Sequence, residues 1–546
     1  MPTFSTPTFA TGSSHPRRST TATLLSVIAA GSLLLSGCSG SAQAEGESDA
    51  KPQSGGTLKV AYDVDPQCID GQQQGANVTL NVTRQITDSL TDQDPGTGEI
   101  VPWLAESWDV DKDSKTFTFH LRDGVTFQDG SDFTSESVKE NFEAIEDLGA
   151  KSSLGQTYLD GLESITTPDE RTVTFTFADP NVQFLQATST MTLGFYSSDT
   201  LQKTPEERCT GDIVGTGPFS LESFEHNKGI KLSRFDDYDW ASSLAKHDGA
   251  AYLDGIDFSI VPEASVRNGS LISGQIDVDT SVQSQDEKTL DAQGLGIVSR
   301  PNPGVVYNLV PKETGDIASD KAVRQALVKG IDRPQLQSVL SDHQAPATSV
   351  LAKSTAQYED LSDLLAYDPD GANKLLEDAG WKVGADGIRE KDGTKLSTTL
   401  TYWQDAPFLE LVQQQLREIG FDLQLDKKTL AEVTAKQAEG QEEFTFGNLT
   451  RTDADVVRNY FGAEEQNANS RKPGKIDEAL AKTTSEQNAD TRTKDFTEAV
   501  KLIIDEGYSI PIVELSGVVG TGKNVHDFAY EASSRYQLHD TWLDGE

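Results

Sequence analysis

Apolar positions along the chain switch repeatedly between a spacing of two and a spacing of three to four, which predicts strands interleaved with helices. Residues 57–62 read as a short strand. In residues 116–121, Phe117, Phe119 and Leu121 share one face, and in residues 171–177, Val173, Phe175 and Phe177 do the same. Between them Asp123-Gly124 and Asp129-Gly130 are turn pairs. Thr134 is placed to cap a helix whose apolar positions Val138, Phe142 and Ile145 fall at i, i+4 and i+7. The second half predicts helices over 322–331, after Ser319 or Asp320, and over 371–379, 409–419 and 496–504. Gly380 and Gly420 follow two of these helices, where a positive φ is wanted. Strands 396–403 and 421–425 bracket the 409–419 helix, a β-α-β pattern with a parallel pair. The expected class is α/β (α+β), and a cleft between such lobes is where a small molecule would bind.

The N-terminus follows another logic. Arg17 and Arg18 precede an apolar and small-residue run over 22–35, too short to span a bilayer comfortably. A positive region, an apolar region and small residues make a secretory signal. Its end, Leu35-Ser36-Gly37-Cys38, looks like the lipobox of bacterial lipoproteins, so the mature chain would begin at a diacylated Cys38. Ser19-Thr20-Thr21 after the twin arginines lacks the apolar continuation of a Tat signal, which favours Sec export. Residues 39–56 are rich in Ser, Gly, Ala and Glu and lack the apolar residues needed to fold. They read as a tether with a reach of roughly 20–25 Å.

Charge and cysteines narrow the picture. The formal charge is −41 and becomes more negative once residues 1–37 are removed, because they hold two arginines and no acid. Such a body repels nucleic acid and anionic lipid. Beyond Cys38 only Cys68 and Cys209 remain, and in an oxidising compartment they predict a disulfide, with two buried free thiols as the alternative. The run Gly517-Val518-Val519-Gly520-Thr521-Gly522-Lys523 imitates a phosphate loop. Asn524 stands where a magnesium-binding Ser or Thr belongs, and no apolar helix follows, so it reads as strand and turn. The seven histidines show no metal-ligand spacing, and HExxH, CxxC and GxSxG are absent, so neither a metal nor a cofactor nor an enzymatic activity is expected. His120 sits opposite Phe119 and reads as surface.

Several blocks remain: 102–108; FTFHLRDGVTFQDGSDF over 117–133; Gly215-Thr216-Gly217-Pro218-Phe219 followed by Asp237-Tyr238-Asp239-Trp240; 254–277; Val323-Arg324-Gln325-Ala326-Leu327 followed by Ile331-Asp332-Arg333; and Tyr367-Asp368-Pro369 leading to Gly380-Trp381. In this order, over nearly the whole mature chain, they resemble family 5 extracellular solute-binding proteins, the dipeptide, oligopeptide and nickel binding class of ABC importers. By their own chemistry the blocks are structural: the Gly-Pro run supplies turn geometry, and Trp103, Trp108 and Trp240 read as core.

The resemblance implies a two-lobed periplasmic-binding-protein-like fold with an extra subdomain inserted in lobe I. Lobe I would comprise 57–92, 211–302 and 510–546, the inserted subdomain 93–210, and lobe II 303–509. The crossings between lobes would fall near Pro301 to Gly304 and near Ile510-Pro511. It implies a monomeric, extracytoplasmic binding protein, lipid-anchored to the cell membrane, that closes on a solute by hinge motion and delivers it to a permease. The resemblance places site residues at Asp70, at Tyr307-Asn308 and in Arg451-Thr452-Asp453-Ala454-Asp455, with Asp453 or Asp455 as anchor for a ligand ammonium. Trp403 is a stacking candidate or core. The Trp and Pro that usually flank the anchoring carboxylate are absent, which leaves peptide, nickel or another metal complex, and siderophore open as ligands. A lipoprotein hydrolase and an adhesin or sensor are the readings from other classes.

Overall fold

A computed structural model describes residues 51–440 and 442–544. Cys38, its signal sequence and the tether up to residue 50 lie outside the described residues.

The strand Thr57–Tyr62 forms where expected and becomes central to a seven-stranded mixed sheet. It pairs in parallel with Gly255–Ile260 and Val278–Asp279; the remaining pairings, to Gly229–Arg234, Phe219–Glu225, Ser516–Thr521 and Gly296–Pro301, are antiparallel. Leu58, Val60, Tyr62, Ile256, Phe258 and Val519 fill its core. The phosphate-loop look-alike is the strand Ser516–Thr521, whose backbone is spent on neighbours at both edges. This corresponds to the strand and turn expected of it.

A four-stranded antiparallel sheet of Ala105–Val110, Thr116–Leu121, Thr172–Phe177 and Leu162–Asp169 makes the second body. The alternation read from sequence is realised, with Phe117, Phe119, Leu121, Val173, Phe175 and Phe177 all buried. Thr134 caps the helix Ser135–Leu148 through a reciprocal box with Ser137, and Val138, Phe142 and Ile145 face the sheet. Phe184 stands at the centre, with the rings of Phe117, Phe175 and Phe177 at 4.8–5.1 Å from its own. Trp103 and Trp240 are core here, as expected, and Trp108 is half-buried against them. This core also draws Tyr238 and Trp240 from beyond residue 210, where the inserted segment was expected to end.

The third body carries a four-stranded sheet ordered Ala345–Pro346, Ile510–Glu514, Gly304–Pro311, Phe444–Thr450. Beside it, Ser397–Tyr402 and Asp422–Lys427 pair in parallel around the helix Phe408–Glu418. Asp320, not Ser319, caps the helix Lys321–Lys329 by accepting from the Ala322 amide at 3.0 Å. Gly380 and Gly420 take φ of +91° and +83°, the left-handed region that glycine tolerates without strain. The last helix runs Ala489–Asp505 and starts earlier than the apolar pattern indicated, because its first turns are largely polar and exposed and begin instead at the Asn488 cap.

The chain passes from the first sheet to the third at residues 302–303 and returns at Leu515. The return was expected near Ile510-Pro511 and falls a few residues later, because Tyr307 and Asn308 pair with Val513 and Pro511 and the strand Ile510–Glu514 belongs to the third body to its end.

Cys68 and Cys209 are disulfide-bonded, closing a sequence separation of 141 residues. Beside the bridge the fully buried Asp70 pairs with Arg208 at 2.8 Å. A covalent closure of this length restricts the unfolded chain, so reduction, or Cys68→Ser with Cys209→Ser, is expected to lower unfolding stability by about 2–4 kcal/mol in urea titration. An unchanged midpoint would show the bridge to be dispensable.

Candidate functional site

Between the first and third sheets lies a cleft with a free volume of about 240 Å³. It sits off the carboxyl end of the central strand Thr57–Tyr62, a usual ligand position in open α/β sheets. One wall is Tyr62, Asp63, Asn81, Val518, Tyr530 and Tyr536; the other is Tyr307, Ser341, Gln344, Trp403, Asp405 and Phe408. Asn302, Leu515 and Ser516 form its floor where the chain crosses.

The walls are aromatic and amide-rich, with few charges. Tyr307 stacks on Phe446 with ring centroids 5.0 Å apart, which fixes its ring against the cleft. Tyr530 is buried, stands over Gly517, where a Cβ would lie 3.1 Å from its hydroxyl oxygen, and its hydroxyl has no hydrogen-bond partner among the described residues. An unpaired buried hydroxyl is costly, and one facing a cleft is ready for a ligand group. Burial, with the nearby Asp63 charge adding to it, holds the Tyr307 hydroxyl well above its ordinary pKa, so it stays a donor at all physiological pH. Of the two carboxylates, Asp405 is already engaged: it pairs with Lys427 and accepts from Gln283 across the cleft at 3.0 Å. Asp63, half-buried, makes no ion pair among the described residues.

Two of the residues indicated by sequence, Tyr307 and Trp403, therefore meet in the cleft. The others do not. Asn308 follows Tyr307 on the same strand and points to the opposite face, where its amide donates to the Val306 and Gly447 carbonyls and accepts from Ser509. Asp70 is spent on Arg208 and on the amide of Gln72. Arg451 is buried outside the cleft and donates to the Thr450 carbonyl. Asp453 is gripped by Arg492 through two 2.8 Å hydrogen bonds, and Asp455 by Arg458 at 2.8 and 3.0 Å. As anchors for a ligand cation both acids are corrected: each already holds a guanidinium, that of Arg492 buried and that of Arg458 partly so. Asp455, Arg458 and Arg492 border a second recess of about 660 Å³ between residues 157–183 and 455–492. That space is larger, but it carries seven acids against two arginines and no aromatic ring, and it lies away from the crossing strands, so the smaller cleft is the better candidate.

What sequence missed are Tyr62, Asp63, Gln283, Tyr530 and Tyr536. Asp63 had a signal, its position directly after the first strand. The two C-terminal tyrosines reach Tyr62 only through the fold, with the Tyr62 and Tyr536 rings 6.5 Å apart.

Three comparisons bear on this geometry. A family model, bacterial extracellular solute-binding proteins, family 5 Middle, matches residues 99–469. Oligopeptide-binding protein AppA of Bacillus subtilis is 27% identical over 425 residues, covering 74% of this chain and 76% of that protein. Glutathione-binding protein GsiB of Escherichia coli K12 is 25% identical over 456 residues, covering 81% and 85%. Among solved structures, AppA with a nonapeptide superposes with a TM-score of 0.79 at 21% identity, over 91% of this chain and 100% of that one. NikZ of Campylobacter jejuni with Ni(L-His) gives 0.75 at 20% identity, over 89% and 97%. These structural likenesses establish the two-lobed fold.

The Asp453–Arg492 pair makes a prediction of its own. Burial alone would raise the Asp453 pKa, but the Arg492 charge and hydrogen bonds outweigh it and hold the carboxyl below its ordinary value. The pair's stabilisation is thus complete above the unfolded value of about 3.9 and is lost as pH falls through the lower folded value. Asp453→Asn is expected to cost about 3–5 kcal/mol at pH 7 in denaturant unfolding, and much less near pH 2. Equal stability of variant and wild type at pH 7 would remove this role.

Proposed function

The chain belongs to the bacterial extracellular solute-binding proteins of family 5, and from that premise we propose that it captures a peptide-like small solute in the cleft between its two sheets and hands it to an ABC permease. A diacylated Cys38 would hold it, as a monomer, to the outer face of the cell membrane. The observation that carries the ligand class is the lining itself: an ion-pair-free carboxylate, Asp63, an unpartnered Tyr530 hydroxyl, side-chain amides and the rings of Trp403 and Tyr307. That set suits a ligand with a cationic amine, amide groups and apolar side chains. No histidine or cysteine lines the cleft among the described residues, so a metal cargo would have to enter as a complex whose chelator makes the contacts.

Mass spectrometry of small molecules released from the native protein, followed by calorimetry with free-amino and N-acetylated peptides, tests the reading. A free-amino peptide is expected to bind, and acetylation or Asp63→Asn to weaken it by about 30-fold or more, the cost of removing one partner from a desolvated charge pair. Trp403→Ala is expected to lose about tenfold. Scattering should show compaction on binding. Recovery of a metal chelate, with no peptide bound at millimolar concentration, would overturn the peptide assignment.

The anchor has a separate test. Cys38→Ser is expected to move the protein from the membrane fraction to the medium, since the same residue would carry processing and acylation. Unchanged membrane attachment would overturn it.

A further inference from the structure

Away from the cleft, the loop after Trp240 meets the C-terminal segment. His247 lies with its ring stacked on Tyr252 at 3.9 Å on one side and on His539 at 4.3 Å on the other. The two imidazoles and Asp540 are each fully committed. His247 Nε2 faces the Ala250 carbonyl at 3.1 Å and His539 Nε2 faces the Gly249 carbonyl at 2.8 Å. Asp540 turns Oδ2 to the Lys246 amide at 3.0 Å and Oδ1 to both Nδ1 atoms, at 2.9 Å from His247 and 3.1 Å from His539.

A carbonyl oxygen only accepts, so each Nε2 must carry the proton. A neutral imidazole protonated there presents a bare lone pair at Nδ1. Two such lone pairs and a carboxylate oxygen then lie within 4.8 Å of one another, a cluster of bare acceptors that positive charge would relieve. One added proton would leave a lone pair facing the carboxylate oxygen, and two would make both rings cationic while they lie stacked 4.3 Å apart, a like-charge contact. A single divalent ion satisfies all three donors at once. The spacing suits it: at metal–ligand bonds of about 2.1 Å, donors at right angles lie about 3 Å apart. The outward N–H···O=C bonds are the usual second support of a metal-bound histidine.

We propose that His247 Nδ1, His539 Nδ1 and Asp540 Oδ1 form a facial site for a divalent first-row transition ion, zinc being the probe, that clips the C-terminal segment to the loop after Trp240. Two imidazoles and one carboxylate are borderline donors that suit zinc, nickel, cobalt or iron(II) better than calcium or magnesium. His539 is buried and His247 is partly open, leaving a side on which water completes the coordination. The two histidines escape sequence-based spacing rules because His247 and Asp540 are 293 positions apart. None of the three residues lines the cleft, so the role is structural and independent of the solute.

The test uses the chain stripped with chelator, equilibrated with zinc chloride and dialysed into metal-free buffer. One zinc per chain by elemental mass spectrometry is expected, with a melting temperature several degrees above the stripped form. His247→Ala and Asp540→Asn are expected to lose the tight zinc and its thermal shift. X-ray absorption on wild type, which needs no variant to fold, should show nitrogen and oxygen neighbours with the scattering pattern of two imidazoles. Wild type retaining less than about 0.1 zinc per chain overturns the proposal. So does full retention in both variants, or a spectrum without imidazole.

Discussion

The molecule is organised by a narrow crossing. Its chain passes between the first and third sheets at residues 302–303 and at Leu515, side by side, and Asn302 ties the place together. Its amide donates to the Leu515 carbonyl at 2.8 Å, its side-chain oxygen accepts from the Gly517 amide at 3.1 Å, and its side-chain nitrogen donates to Thr450 at 3.3 Å. Two adjacent connections of this kind define one axis, and the proposed closure on a solute would turn about it. The cleft lies beside this crossing, with Asn302, Leu515 and Ser516 in its lining, and the Gln283–Asp405 hydrogen bond spans the gap.

Away from the hinge, the bodies are kept rigid by buried polar knots. Asp88 is fully buried, accepting from the Trp240 indole at 2.9 Å and from Tyr238 at 3.3 Å, while its amide donates to Thr216. Burial pushes its carboxyl up to about 8, although Trp240 and the Arg84 charge oppose this. Arg84 in turn pairs with Asp92 and lies over the Trp103 ring at 4.4 Å. Trp103, Thr216, Tyr238 and Trp240 all come from the blocks that carry the family resemblance. They join the first sheet to the second body, which explains why those blocks announce a fold and leave the ligand unspecified.

The same economy explains the corrected site. In a chain with a formal charge of −41, an acid is an uninformative letter until its partner is known. Asp453 belongs to Arg492, Asp455 to Arg458, and Asp70 to Arg208 beside the disulfide. Asp63 differs from them in its surroundings, being set near Tyr62, Tyr307 and Tyr536 with no ion pair among the described residues.

By itself the sequence determined whatever depends on neighbours in the chain. The alternations of Phe117, Phe119 and Leu121 and of Val173, Phe175 and Phe177, the Thr134 cap, the helix-ending Gly380 and Gly420, and the parallel pair around the 409–419 helix were legible because burial follows backbone period and caps act within a few residues. Two cysteines left in an oxidising compartment pointed to one bridge. Tyr307 and Trp403 were legible as residues that line the candidate cleft, Tyr307 through family position, whereas Asn308 faces away from it because adjacent strand residues face opposite ways. Only tertiary structure decided which acids are free, that Tyr530 and Tyr536 from the far C-terminus face Tyr62, where the return crossing falls, and that His247 meets His539. The last three of these depend on pairing across hundreds of residues, and local periodicity carries no information about the partner.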